Sequence, residues 1–211
     1  VSGDFWWLAQ KNNLVVVAVA DCTGHGIPGA FMSMLGVAFL NEIVNSQKTI
    51  KSNIILNQLR IKVKNTLQQT GKTYEAKDGM DIALLVIDYQ NMTLQYSGAH
   101  NPLYICRNNN IIVYKADRNP IGIYIKEKES FTLNTIELQP NDTLYIFTDG
   151  FIDQFASQTN EKFGSARFTS LIKSVQQHNI EQQKIIFADT LNQWRGNQQQ
   201  TDDILVLGIK I

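Results

Sequence analysis

Leu14-Val15-Val16-Val17-Ala18-Val19-Ala20 runs straight into Asp21-Cys22-Thr23-Gly24-His25-Gly26-Ile27-Pro28. The first seven residues form a short, apolar, β-branched run bounded by Asn12-Asn13 and by Gly24, the pattern of a buried strand. Phe5-Trp6-Trp7-Leu8 precedes it as a second strand, and Lys11-Asn12-Asn13 is turn material, so the two predict a hairpin. With the turn centred on Asn12-Asn13, cross-strand partners have numbers summing to 25, which sets Asp4 opposite Asp21. Two carboxylates would then face each other at the open end of the hairpin, where opposed like charges are destabilising unless something positive lies between them.

Outward from this hairpin the pattern alternates between the two periodicities. Pro28 to about Val44 opens with a proline suited to a first helical turn and is apolar on most sides, predicting a buried helix. Ser52 stands where it can cap a second helix, with Ile55, Leu59, Val63 and Leu67 on one face. Strands are expected over 82–87, 93–97, 102–106, 111–114, 131–138, 143–147 and 204–211, with turns at Gln90-Asn91 and Asn108-Asn109-Asn110. Phe168, Leu171, Ile172 and Val175 make a third helical stripe, and Phe187, Leu191 and Trp194 a fourth. Helices that cannot share a layer with so many antiparallel strands must cover their faces, which gives a β-sandwich flanked by helices.

Composition narrows the function. The chain has 211 residues, and a chain of this length buries roughly 70% of its unfolded surface, so it folds without disulfides. No Pro/Gly/Ser linker or repeat divides it, so residues 1–211 are read as one domain. Lys plus Arg is 19 and Asp plus Glu is 19, a zero net charge that argues against nucleic-acid or anionic-membrane binding. Two cysteines, Cys22 and Cys106, suit a reducing, cytoplasmic compartment. No apolar run reaches the ~18 residues of a membrane span. The first residue is Val1, inside an extended stretch, so a domain cut from a longer protein is expected.

The chemistry sits at strand ends. Thr143 to Phe147 runs into Thr148-Asp149-Gly150, and Asp202-Asp203 opens the last strand. If those strands are antiparallel neighbours, Asp149 and Asp202 share one edge, as Asp4 and Asp21 share another. A single Asp at a strand end is ordinarily a turn or cap residue. Four that converge call for a hard divalent cation with oxygen ligands, and such cations acidify water for attack on phosphorus. The Gly-rich turn Cys22 to Pro28 can help hold an anion at the following helix. His25 within it reads either as a general acid or as a turn histidine bonded to backbone. His100 reads as structural, His178 as a solvated loop residue, and Cys22 as a packed side chain without an activating neighbour.

Taken together, Ser2-Gly3-Asp4-Phe5, Asp21 to Ala30, Gly79-Met80-Asp81, Ser97-Gly98-Ala99-His100-Asn101-Pro102, Asn119-Pro120-Ile121-Gly122, Phe147-Thr148-Asp149-Gly150 and Gln200-Thr201-Asp202-Asp203 resemble, in order and nearly end to end, the SpoIIE-like serine phosphatases of the PPM (protein phosphatase 2C-like) superfamily. The resemblance implies an α+β fold, a four-layer α-β-β-α sandwich of two mostly antiparallel sheets flanked by helices. It implies two divalent cations, Mn²⁺ or Mg²⁺, with Asp21 bridging them, Cys22 offering its backbone carbonyl, Asp4, Asp149 and Asp202 as further ligands, and Asp203 beside the ligands. It implies hydrolysis of phosphoserine or phosphothreonine by a metal-bridging hydroxide, with His25 as the leaving-group acid. The implied substrate is a phosphorylated STAS-domain anti-sigma-factor antagonist. The implied setting is the C-terminal output domain of a longer sensor protein, controlled through its N-terminal sensor domain or a homodimer. Two departures stand out: Trp7 occupies a place where many relatives carry a second Asp, and the polar stretch Ile152 to Lys162 lies where the superfamily varies a flap. The rivals are a catalytically weak module that binds a phosphoprotein partner and a two-metal phosphodiesterase or nuclease, the latter disfavoured by the absence of basic clustering.

Overall fold

The computed structural model describes residues 2–24, 26–72 and 77–211. The first hairpin has the expected register: β1 (Phe5–Lys11) pairs antiparallel with β2 (Leu14–Cys22), Phe5 opposite Ala20 and Lys11 opposite Leu14. After α1 (Ile27–Ser46) and α2 (Ser52–Thr66), β3 (Met80–Asp88) returns to pair with β2, and β4 (Thr93–Ala99) pairs with β3. The remaining elements are β5 (Leu103–Arg107), β6 (Asn110–Tyr114), β7 (Asn134–Glu137), β8 (Thr143–Phe147), α3 (Gly150–Asp153), α4 (Gly164–Ser174), α5 (Ile180–Arg195) and β9 (Val206–Lys210). They complete a five-stranded sheet of order β1-β2-β3-β4-β7 and a four-stranded sheet of order β6-β5-β8-β9.

Three apolar layers hold four structural ones. Val16, Ala18 and Ala20 of β2 turn toward α1 and α2 with Phe5, Trp7, Ile82 and Leu84, while Val17 and Val19 turn toward the second sheet with Leu85, Ile105 and Ile146. Burial on both faces is why β2 lacks polar alternation. The third layer is aromatic: Tyr104, Phe147, Phe151, Phe163, Phe168 and Phe187 fill the space between the second sheet and α4 and α5, with Phe147 and Phe168 rings 4.4 Å apart. The tight β5–β6 turn is made by Asn108 and Asn109 at φ 49° and 62°, the left-handed pair that suits a two-residue hairpin.

Several expectations are corrected. α1 is not buried all round: Met32, Gly36, Leu40, Ile43 and Val44 face the sheet, whereas Ile27, Phe31 and Met34 are exposed. It is long and apolar enough to meet the composition test for a membrane span, a test that a helix packed on a core also meets. Ser52 is the first helical residue, not the cap; its hydroxyl bonds the Ser97 hydroxyl at 2.9 Å, and Lys51 occupies the cap position. The strand expected over 131–138 is confined to Asn134–Glu137. Its first part is diverted because the Thr132 amide donates to the Asp117 carboxylate at 2.7 Å and the Thr132 carbonyl accepts from the Ser97 hydroxyl at 2.8 Å. Phe131 is thereby drawn into the helix-side core, under the Arg60 guanidinium. The last strand is likewise shorter than expected, Val206–Lys210.

Candidate metal centre

One end of the five-stranded sheet carries a row of ionisable side chains. β2 and β3 pair with Asp21 opposite Asp81. Extending the β1–β2 register by one residue sets Asp4 opposite Asp21. Asp4, Asp21 and Asp81 therefore occupy one level across three neighbouring strands, and His100 directly follows the end of the fourth. Asp81 is the member that reasoning on the sequence did not assign: Gly79-Met80-Asp81 was visible, but its register with β2 depends on a pairing made only after two intervening helices.

The second side is built by loops of the other sheet. β8 and β9 are antiparallel neighbours, as expected. Beyond the ladder, Thr148 N–H donates to the Leu205 carbonyl and Leu205 N–H donates to the Thr148 hydroxyl, both at 3.0 Å, which holds Asp149 beside Asp202 and Asp203. Gly150 is required by close approach: a Cβ there would lie 2.0 Å from the Asp203 carbonyl oxygen. Buried Gln154 pins the strand-entry loop, accepting from Thr201 N–H at 3.3 Å and donating to the Gln199 carbonyl at 3.0 Å. The two sides meet where Gly3 N–H donates to Asp203 Oδ2 at 2.8 Å. Gly29 lets α1 start hard against the turn that follows β2, since a Cβ there would come within 2.4 Å of the Gly24 carbonyl oxygen.

Electrostatics shows that these groups share one space. Burial, then Asp4, Asp149, Asp202 and Asp81, push the Asp21 carboxyl up to about 8. Burial raises Asp4 to about 6 against hydrogen bonding by Thr148, and burial raises Asp81 to about 6 against the opposing influence of His100. Asp149 is raised by burial and by Asp202. Among the described residues no Lys or Arg forms an ion pair with Asp4, Asp21, Asp81, Asp149, Asp202 or Asp203. Lys162 instead pairs with Asp153, at 2.7 Å. Among the described residues no three His, Cys, Asp or Glu groups are disposed to hold a metal ion as they stand. Uncompensated carboxylates stand apart from one another, and a cation between them would draw them together. An all-oxygen donor set and a buried Asp4 Oδ2 without a hydrogen-bond partner fit a hard divalent ion.

Cys22 is buried and its thiol is pushed up to about 12 by burial and by Asp21, so it is a packed side chain and not a nucleophile. A Cβ on Gly3 would lie 3.1 Å from the Cys22 carbonyl oxygen, which places that carbonyl beside the start of β1. His25 lies outside the described residues. His100, read as structural, is exposed and stands at the end of the row.

An α-β-β-α sandwich with clustered carboxylates at one end of its paired sheets is the architecture of the PP2C-like metal-dependent phosphatases. The chain belongs to the SpoIIE family: the model for "Stage II sporulation protein E (SpoIIE)" matches residues 11–211. Among solved structures, the SiaA-PP2C domain of Pseudomonas aeruginosa is 27% identical with a TM-score of 0.89, over 100% of this chain and 81% of that one. The PP2C phosphatase domain of Bacillus subtilis SpoIIE, solved with a fragment of its regulatory domain, is 20% identical with a TM-score of 0.79, over 100% of this chain and 59% of that one. RsbX in complex with magnesium is 13% identical with a TM-score of 0.65, over 99% of this chain and 87% of that one. No curated protein matches the chain. The protein is thus a phosphoprotein phosphatase of the PPM type, from a family that is metal-dependent and works in partner-switching signalling.

Proposed function

We propose that this chain hydrolyses phosphoserine or phosphothreonine on a STAS-domain anti-sigma-factor antagonist, using two divalent cations, Mn²⁺ or Mg²⁺. Asp21 would be shared by both, with Asp4, the Cys22 carbonyl, Asp149 and Asp202 as the other ligands. Asp203 orients rather than ligates, because its Oδ2 is engaged by Gly3 N–H. The observation that carries this reading is the row Asp4–Asp21–Asp81 facing Asp149 and Asp202 with no Lys or Arg paired to any of them among the described residues. When bound, the cations supply an acidified water and positive charge against the phosphoryl oxygens. The chain's own residues do the rest. Burial and mutual repulsion disfavour the charged forms of Asp4 and Asp21, which are the groups that a bound cation would hold ionised. The inert Cys22 thiol leaves no protein nucleophile at that position, which favours direct hydrolysis over a covalent phosphoenzyme. His25 is the proposed proton donor to the leaving seryl or threonyl oxygen. We place the activity in the cytoplasm, as the output domain of a sensor protein.

Titration of Mn²⁺ against p-nitrophenyl phosphate tests the centre, and bis(p-nitrophenyl) phosphate tests the monoester preference. Saturable, metal-dependent turnover of the monoester alone is expected. Metal binding without turnover would replace the enzyme with a phosphoprotein-binding module, and faster diester turnover would replace it with a phosphodiesterase. Mixing with phosphorylated STAS proteins of the same organism then identifies the substrate.

A further inference from the structure

Beyond His100 the row opens into a groove of about 360 Å³, walled by His100, Tyr104, Val113, Lys115 and Arg118. The groove is stitched to the centre by backbone. β4 ends at Ala99, and His100 follows in a left-handed conformation at φ 60°, which turns the chain out of the sheet. His100 N–H then donates to the Asp117 carbonyl, and Asp117 N–H to the Gly98 carbonyl, both at 2.9 Å. The segment carrying Lys115 and Arg118 is thus fixed alongside the last residues of β4. Asp117 anchors it from below: its carboxylate is buried, accepts Thr132 N–H at 2.7 Å and Thr132 Oγ1 at 3.0 Å, and pairs with Lys128.

That anchoring leaves the two cations of the segment outward. Lys115 and Arg118 are exposed, and neither forms a hydrogen bond or ion pair with any described side chain. What sets these two apart is position: both line the groove, on a segment tied by backbone hydrogen bonds to the end of β4. A phosphoserine delivered to the Asp21–Asp149 space extends its neighbouring residues along the sheet end, and the His100 side leads into this groove.

We infer that the groove receives the polypeptide flanking the phosphorylated residue, and that Lys115 and Arg118 select substrates with an acidic side chain on that flank. The inference rests on the phosphatase reading above and adds a substrate preference to it. Tyr104, largely buried, and Val113, half exposed, give the groove an apolar floor against which the flanking chain lies. Charge complementarity of this kind sets specificity and encounter rate and weakens with salt.

The test uses two phosphoserine peptides identical except for Asp or Lys residues beside the phosphoserine, with p-nitrophenyl phosphate as the reporter of the centre. With Mn²⁺ present, kcat/KM for the acidic peptide should exceed that for the basic one by about tenfold, the worth of two exposed charge pairs. The preference should shrink as salt rises. The double variant Lys115→Glu/Arg118→Glu should invert the preference, and Arg118→Ala, which removes charge without adding any, should reduce it about threefold. A preference that survives charge reversal, or none in the wild type while p-nitrophenyl phosphate is turned over, overturns the groove and leaves the phosphatase standing. A wild type silent toward all three substrates overturns both.

Discussion

The carboxylates of the centre come from two sides built in different ways. Asp4, Asp21 and Asp81 sit at consecutive strand ends, so their relative positions follow from hydrogen-bond register. Asp149, Asp202 and Asp203 sit on loops, and their positions depend on individual contacts: Thr148 with Leu205, Gln154 with the 199–201 segment, and Gly150 against the Asp203 carbonyl. A register cannot slip by one residue without moving a whole buried face to solvent, whereas a loop relaxes locally. The strand side is the fixed jaw of the site and the loop side is the adjustable one. Substitutions on the first should therefore act through charge, and substitutions on the second through position.

The largest effect is expected at Asp21. Asp21→Asn keeps the shape and removes the carboxyl that interacts with Asp4, Asp149, Asp202 and Asp81. Mn²⁺-dependent turnover of p-nitrophenyl phosphate should fall further than the roughly 10–100-fold that loss of an outer metal contact costs. The same change should make the metal-free protein more stable at pH 7, by about 1–2 kcal/mol once partial solvation is discounted, because the variant no longer buries an acid whose charge is disfavoured there. Steady-state kinetics and thermal melts in chelator read the two effects. Near-normal turnover, or a lower melting temperature, would break the assignment of Asp21 to the fixed jaw.

Gly150→Ala probes the other jaw, where no charge is lost. The added methyl cannot coexist with the Asp203 carbonyl at 2.0 Å, so the loop carrying Asp202 must move. Mn²⁺ affinity should fall by about 10–100-fold, as it does when a supporting contact is removed. The β1–β2 amides should keep their hydrogen-exchange protection. Loss of that protection would mean that the two sides do not respond independently.

The pH dependence of the metal-free protein follows from the same contrast. Asp4 and Asp81 are raised to about 6 and Asp21 to about 8, from ordinary values near 3.8. Well below pH 3.8 all three are protonated whether the chain is folded or not, and they contribute nothing to the pH dependence. As pH rises from there, the unfolded chain releases protons that the folded chain retains. Stability therefore falls, first through all three groups up to about pH 6 and then through Asp21 up to about pH 8, and levels off above that. The total decline should be about 3 kcal/mol after discounting for solvent. Saturating Mn²⁺ should flatten the curve, since the cation stabilises the charged forms. Urea midpoints measured with and without Mn²⁺ from pH 5 to 9 check this, and a metal-free curve that rises with pH would contradict it.

The fixed jaw was also the legible one. Asn12-Asn13 punctuates two apolar runs, and a hairpin turn fixes register, so the opposition of Asp4 and Asp21 can be counted off the sequence. The place of Asp149 at the end of an apolar strand and of Asp202 at the start of another was legible for a similar reason. Asp81 was not, because β2 and β3 are joined through α1 and α2 and no local turn sets their pairing. Gln154 was not, because a buried glutamine that bonds the backbone of a loop some 45 residues away carries no periodic signal. The over-long strand at 131–138 has a physical cause as well: its alternation is real, but the Asp117 carboxylate and the Ser97 hydroxyl compete for the backbone of Thr132. The resemblance carried what pattern could not, namely that the two jaws close on each other.

The smallest effect tests what keeps the fixed jaw in register. Trp6 and Trp7 are neighbours on β1 and point to opposite faces. Trp7 is 6% exposed, packs under α1 and donates its indole N–H to Asn41 at 3.1 Å, whereas Trp6 is 60% exposed. Trp6 lies opposite Val19 and Leu8 opposite Val17, on the face turned toward the four-stranded sheet, yet both remain open because that sheet has no fifth strand above them. If the helix-side face alone sets the register, Trp6→Thr should change the stability of this chain by no more than about 0.5 kcal/mol and leave Mn²⁺ affinity unaltered. Trp7→Ala should cost about 3–5 kcal/mol. A loss at Trp6 comparable to that at Trp7 would show that the open face also fixes where Asp4 stands, and that the strand side of the centre is less self-sufficient than its ladder of hydrogen bonds implies.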